Sequence, residues 1–215
     1  MDIVAFGTPF GLAFASGLNA YLPLLAFAFS VRWLHLYTVN PQFAFITHTW
    51  FIVVLAILTL LDFVADKIPL IDHLWNAIHA IVRPIAGAAV AVAASGHALT
   101  VGRTLDVTDH AGLGSALVAY SAFPVAAVGQ LVILIIGGVL AALSHTTKST
   151  ARLVSTLTTA GFLNIALSLG EDILVFIIIL LSLFASSVVL ILLVIFVLVL
   201  VPRYMRTKST WIRRH

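Results

Sequence analysis

Hydrophobic residues are concentrated in six stretches separated by short polar segments. The stretches cover residues 8–30, 47–66, 84–101, 115–143, 153–170 and 173–201. An α-helix needs about 20 apolar residues to cross the hydrocarbon core of a bilayer. The pattern therefore predicts an all-α, polytopic membrane helical bundle with about six spans, built as a single integral membrane domain over 1–215.

The composition agrees with a membrane protein. Hydrophobic residues make up 62% of the chain and charged residues only 9%, whereas a soluble domain has about 25% charged residues. The chain has no cysteine, which excludes disulfides, thiolate metal sites and cysteine nucleophiles. The basic residues concentrate beyond Val201, which is typical of a topology signal and not of a nucleic-acid surface. We expect no nucleic-acid partner and no cofactor.

The distribution of Lys and Arg predicts the orientation. If both termini are cytoplasmic, the inner segments hold nine basic residues and the outer ones hold only Arg32 and Arg103. Positive charge concentrates on the cytoplasmic side of membrane proteins. We therefore expect cytoplasmic N- and C-termini and a basic cytoplasmic tail over 203–215, with membrane lipids as its partners.

Two of the stretches are unlike simple spans. Each pairs a glycine with an asparagine, at Gly17 and Asn19 in 8–30, and at Gly161 and Asn164 in 153–170. Discontinuous helices at corresponding positions predict an inverted repeat of re-entrant or broken helices. Asn19 and Asn164 would then line a central substrate site. In the simpler interpretation, each pair is a packing notch with an interhelical hydrogen bond.

Acidic residues lie at the ends of two apolar stretches. Asp62 and Asp66 are four residues apart and share a helical face, and Glu171 and Asp172 lie between the last two stretches. Carboxylates in apolar surroundings suit proton or cation coupling. The alternative is a solvated cluster at the end of a helix, neutralised by Lys67.

Three basic residues are candidates for binding an anion. Arg83, Lys148 and Arg152 all fall in predicted cytoplasmic segments, where they could attract an anionic solute or lipid headgroup, or could simply be flanking charge. The segment 70–84 has apolar residues at helical spacing. It predicts an amphipathic helix along the inner membrane face, with a new helix beginning at Pro84.

Several segments together resemble a known family. They are ASGLNAYLPLL at 15–25, DFVADKIPLIDH at 62–73, RPIAGA at 83–88 and NIALSLGED at 164–172. They resemble the bacterial membrane proteins grouped as domain of unknown function 4126. The resemblance implies a single-domain protein of the bacterial inner membrane and implies no particular activity.

Three functions remain open from the sequence. The first is a small secondary transporter or lipid flippase that moves an anionic or polar solute or lipid, coupled to protons or cations. The second is a non-transporting scaffold or lipid-sensing module. The third is an intramembrane enzyme acting on a lipid phosphate, but no HExxH, GxSxG or P-loop pattern occurs. No catalytic or metal-binding residue is therefore assigned, and a homo-oligomer is left open.

Overall fold

A computed structural model describes residues 6–67, 69–96, 113–159 and 164–212, with the side chains of 69–74, 113–126, 159, 164–165 and 200–212 outside that description. Every regular element in these ranges is helical. The elements are α1 (Gly7–Ser16), α2 (Leu22–Arg32), a 3-10 helix (Pro41–Thr47), α3 (Thr49–Ala65), α4 (Pro69–Ala94), α5 (Leu113–Thr159), α6 (Asn164–Phe184) and α7 (Ser186–Ile212).

Three of these helices contain a stretch that is long and apolar enough to cross a membrane. The stretches are Trp75–Ala94 in α4, Ala127–Thr158 in α5 and Ala166–Phe184 in α6. The 3-10 helix and α3, which meet at 70°, together supply a fourth. The prediction of an all-α membrane protein is confirmed. The predicted six spans are not, since the described ranges hold three, or four with the bent pair.

The predicted span 8–30 is a helical hairpin. Thr8, near the start of α1, donates a hydrogen bond to the carbonyl of Ser182 at 2.7 Å. Tyr37, beyond the end of α2, donates to the neighbouring carbonyl of Leu183 at 2.5 Å. The hairpin therefore enters and leaves at one end of the bundle, which we call the hairpin base. Its turn, residues 17–21, lies deeper in the bundle.

The long helices α4 and α5 pack closely through small residues. A methyl group added to Gly87 would meet the side chain of Ala141, and one added to Gly137 would meet Ala91. Small side chains allow helix backbones to approach in a membrane, where hydrophobic burial does not drive association. The Gly- and Ala-rich composition of 84–101 predicts such packing against neighbouring helices. The described part of this segment, 84–96, is packed in this way.

α4 corrects the prediction for the segment 70–84. Pro84 lies inside α4, so this segment and the following apolar one form one continuous helix. The polar face predicted to lie along the membrane surface instead faces the interior of the bundle. Two of its residues, Arg83 and His79, are packed among other helices with exposures of 0% and 1%.

The long apolar run 173–201 breaks at Ala185, between α6 and α7. A 29-residue helix would be about 43 Å long, against a core of about 30 Å. The length of the run therefore predicts a bend, and the small residues Ala185, Ser186 and Ser187 are the predicted place for it. α7 turns back along α1, with Ser186 beside Gly7 and Phe196 against Phe14. The tail predicted over 203–215 continues α7 as far as Ile212, with its side chains outside the described part.

Candidate functional site

Ionisable side chains from four helices converge between the hairpin turn, the end of α3 and the first half of α6. We call this group the charge network. Helical spacing aligns the members on each helix, because residues three, four or seven apart share a face. The members are Asp62 and Asp66 at the end of α3, His79 and Arg83 on α4, His145, Lys148 and Arg152 on α5, and Glu171 on α6.

One half of the charge network links α3, α5 and α6. Lys148 Nζ lies 2.6 Å from Asp66 Oδ2 and 3.3 Å from Glu171 Oε2. Arg152 Nη2 lies 2.7 Å from Glu171 Oε2 and 3.3 Å from Asp66 Oδ2. Each carboxylate in this half therefore contacts two cations, and each cation contacts both carboxylates.

The other half surrounds Arg83 on α4. Its Nη2 lies 3.6 Å from Asp62 Oδ1, and its Nη1 lies 3.0 Å from His145 Nδ1. The indole N–H of Trp75 donates to Asp62 Oδ1 at 2.7 Å, and His79 Nε2 lies 3.5 Å from the same oxygen. Asp62 is 1% exposed. This half has looser contacts and includes two imidazoles.

The charges of the network balance. Arg83, Lys148 and Arg152 face Asp62, Asp66 and Glu171, three positive charges against three negative ones. The net charge is zero when both imidazoles are neutral. A separate ion pair between Lys67 and Asp172, at 2.9 Å, lies further out, with side-chain exposures of 37% and 23%.

The turn of the hairpin touches the network. The carbonyl of Leu18 accepts a hydrogen bond from Lys148 Nζ at 3.0 Å. The ring of Tyr21 stands edge-to-face on His79, with centroids 5.7 Å apart. A methyl group added to Gly17 would overlap the backbone carbonyl of Ala141, so a residue without Cβ lets the turn approach α5 this closely.

The outer surface of the bundle around the network is mostly aliphatic, with the exposed threonines Thr146, Thr147 and Thr150 on α5. About 18 Å of α6 separates Glu171 from the hairpin base, and about 10 Å of α5 and of α6 extends beyond the network on the other side. Exposed aliphatic side chains flank the network residues on all four helices. They are Leu60 and Val64, Ile78 and Ile81, Leu153 and Leu157, and Leu169 and Ile173.

Several buried polar atoms of the network have no hydrogen-bond partner among the described residues. They are Asp62 Oδ2, Asp66 Oδ1, His79 Nε2, and Nε and Nη2 of Arg83. Such atoms are rare in folded proteins, because an unpaired buried donor or acceptor costs about 1–3 kcal/mol. They leave hydrogen-bonding capacity for water, a proton or a bound ligand.

Asp66, just beyond the last residue of α3, is the most strongly compensated carboxylate. Burial raises its pKa, but the charges of Lys148, Arg152 and Arg83 outweigh burial, and the pKa lies below the ordinary value. Asp66 is therefore ionised at neutral pH and holds its cations in place.

The structure brings most of the predicted site residues together. The acids proposed for ion coupling and the bases proposed for substrate binding form one mutually neutralising group, apart from Asp172. Asn19 lies in the hairpin turn, but its Oδ1 accepts from the backbone N–H groups of Tyr21 and Leu22, at 3.1 and 2.9 Å. Asn164 begins α6, and its side chain lies outside the described residues.

Sequence reasoning identified Arg83 but missed three side chains of this site, Trp75, His79 and His145. Trp75, His79 and Arg83 follow one another at intervals of four residues, which places them on one face of α4. His145 has the corresponding position on α5, three residues before Lys148. These spacings were the available signal.

The fold and the site define the class of protein: a helical membrane protein with a buried, charge-balanced network. The family model for the domain of unknown function (DUF4126) matches residues 7–206. The chain belongs to this family, as its sequence segments predicted. Comparison with curated proteins and with solved structures gives no match.

Proposed function

We propose that the chain is a small secondary transporter or lipid flippase that moves an anionic or polar solute, or a lipid through its headgroup, coupled to protons. The observation that carries this proposal is the burial of the charge network at a level of the bundle where the outer surface is mostly aliphatic. Ions buried in membrane helices are costly and usually belong to substrate or ion pathways. A structural role alone would be filled as well by apolar side chains.

Charge balance favours a proton together with an anion. The network is neutral, so an anion alone would leave a net negative charge in a low-dielectric interior, where an uncompensated charge is unfavourable. A proton taken up with the anion restores neutrality. A metal cation needs several free carboxylate oxygens, and in the described part of the network only two carboxylate oxygens, Asp62 Oδ2 and Asp66 Oδ1, lack a hydrogen-bond partner.

The hairpin supports transport. α1 and α2 are about 15 Å long, half of the hydrocarbon core, so the hairpin would be re-entrant. Irregular backbone survives at membrane depth only within protein or beside a cavity, and transporters use such breaks at their binding sites. The second predicted break, in 153–170, includes residues 160–163, which lie outside the described ranges. The inverted repeat therefore stays a prediction.

The same geometry revises the proposed topology in the bacterial inner membrane. The positive-inside rule places the ends of α3 and α5, with Lys67 and Lys148, toward the cytoplasm. Arg32, which donates to the carbonyl of Thr47 at 2.6 Å, then lies at the outer side. Since the hairpin returns to its base, we propose an outer start for α1 and a cytoplasmic C-terminal tail, in place of two cytoplasmic termini.

The test is transport by the full chain in liposomes containing a trapped pH indicator. One set receives inorganic phosphate outside, and the other carries a fluorescent phosphatidate whose movement between leaflets is followed by chemical quenching. We expect proton entry with phosphate, or faster lipid movement, and a loss of at least tenfold in Glu171→Gln. The matched control is Asp172→Asn, the adjacent acid outside the network, which should retain transport.

Equal activity in Glu171→Gln and the unsubstituted chain would contradict the proposal. A chain that moves neither probe and retains a partner on purification would instead support the scaffold or lipid-sensing alternative. For the enzyme alternative, the described residues offer no group of three His, Asp or Glu side chains arranged to hold a metal ion. No observation on the described residues favours the enzyme alternative.

A further inference from the structure

The second half of the charge network differs from the first in how its carboxylate is neutralised. Asp66 and Glu171 each have a cation within 2.7 Å. Among the described side chains Asp62 has no cation closer than Arg83 Nη2 at 3.6 Å, and its Oδ2 accepts no hydrogen bond from them. Its shortest polar contact is the uncharged indole N–H of Trp75. Asp62 is therefore the carboxylate with the most remaining capacity for a positive charge.

The neighbouring His79 presents a bare nitrogen to Asp62. Its Nδ1 lies 2.8 Å from the carbonyl oxygen of Trp75. A carbonyl can only accept, so Nδ1 carries the hydrogen and Nε2 is the unprotonated nitrogen of the neutral ring. Within the described part of the chain Nε2 has no hydrogen-bond partner, and it lies 3.5 Å from Asp62 Oδ1. Two acceptors thus face each other across a gap that one proton would bridge.

We propose that His79 and Asp62 form the proton-binding site of the charge network. A proton from water adds to the lone pair of His79 Nε2, and the new N–H donates to the Asp62 carboxylate. No bond other than this N–H forms, and the existing hydrogen stays on Nδ1 and continues to be donated to the Trp75 carbonyl. The network changes from neutral to a charge of +1. This inference rests on the proposed function only for its role in coupling.

Charged and titratable groups on every neighbouring element act on His79. Asp62 and Asp66 on α3 favour the imidazolium, and Arg83 on the same helix opposes it. His145 on α5 and Tyr21 in the hairpin turn are the other titratable groups beside it among the described side chains. Burial opposes the imidazolium, and the Asp62 carboxylate, 3.5 Å from Nε2, is the contact that stabilises it. His145 differs because its Nδ1 faces the Arg83 guanidinium at 3.0 Å and must accept from it.

The consequence for transport is a fixed charge ratio. A protonated network carries one excess positive charge, and one negative charge on the ligand restores neutrality. Protonated His79 also competes with Arg83 for Asp62, which frees the Arg83 guanidinium to face an anion. We therefore expect one proton to be taken up for each negative charge bound.

Trp75 offers a readout that does not require transport. Its ring lies over His79 with centroids 4.7 Å apart, and a protonated imidazole in contact with an indole quenches its fluorescence. The chain has four tryptophans, so replacing Trp33, Trp50 and Trp211 by Phe leaves Trp75 alone. Fluorescence of this full-length variant is titrated with pH in lipid nanodiscs.

We expect one transition, with lower fluorescence at acid pH. His79→Gln should abolish it, and Asp62→Asn should move its midpoint at least about one pH unit lower, because an adjacent carboxylate stabilises the imidazolium. The matched control, His145→Gln, should leave the transition in place. A transition that persists in His79→Gln, or that disappears in His145→Gln, would overturn the proposal.

A second measurement needs no substitution in the network. In the unsubstituted chain labelled with nitrogen-15 histidine, one ring should carry its hydrogen on Nδ1 at high pH and gain a second on Nε2 as pH falls. If every histidine carries its hydrogen on Nε2 at high pH, the proposal is wrong. Proton binding without transport would retain this site and reject the proposed function.

Discussion

Removing Lys148 should destabilise the fold far more than removing a surface lysine. In Lys148→Met the side chain keeps a similar length but loses its charge. Asp66 then loses its nearest cation, at 2.6 Å, and the Leu18 carbonyl in the hairpin turn loses its donor. Breaking a buried ion pair from one side costs about 3–5 kcal/mol when the remaining charge has no other partner. Arg152 stays 3.3 Å from Asp66, so we expect a loss near the lower end of that range.

The double variant Lys148→Met with Asp66→Asn measures how much of this loss belongs to the pair. It restores a neutral network, so we expect it to be more stable than the sum of the single losses by about 1–3 kcal/mol. The matched control is Lys67→Met with Asp172→Asn, an exposed pair at 2.9 Å. Exposed pairs contribute about 0–1 kcal/mol.

The assay is reversible unfolding in mixed micelles, followed by circular dichroism as the denaturing detergent increases. If Lys148→Met loses no more unfolding free energy than Lys67→Met, the network does not hold the helices together as described. A cycle for Lys148 and Asp66 with no interaction energy would lead to the same conclusion, even if the single variants were unstable.

Two further predictions concern the hairpin and acid pH. Asn19→Ala should lower the unfolding free energy by about 1 kcal/mol, because the backbone N–H groups of Tyr21 and Leu22 lose their acceptor. Asn19→Asp should preserve most of it, and equal losses in the two variants would show that these hydrogen bonds do not stabilise the turn. Because the folded pKa of Asp66 lies below its unfolded value, its contribution is complete at neutral pH and is lost as pH falls below about 4. Unfolding measured between neutral pH and about pH 3 should show this loss, and Asp66→Asn should show less of it; an identical pH dependence would contradict the assignment.

Several local features of the fold could be predicted from the sequence. Ala185 and its small neighbours predicted the break before α7, because an apolar run longer than the membrane core must bend somewhere. Asp62 with Asp66, and Lys148 with Arg152, were placed on shared faces by their spacing of four residues. The continuation of α4 through Pro84 was missed, since a proline favours the start of a helix but does not require it.

The amino-acid sequence was enough to predict a helical membrane protein, because a chain with so few charges and such long apolar runs cannot cover its surface with polar groups in water. It also identified the acids and bases of the site as two separate sets. Only the tertiary structure decided that they are one set, with Asp66 joined to Lys148 across the bundle and His79 turned toward Asp62. Helical periodicity relates residues within one helix, whereas the rotation and depth of neighbouring helices depend on packing, here on the close approach of Gly87 and Gly137.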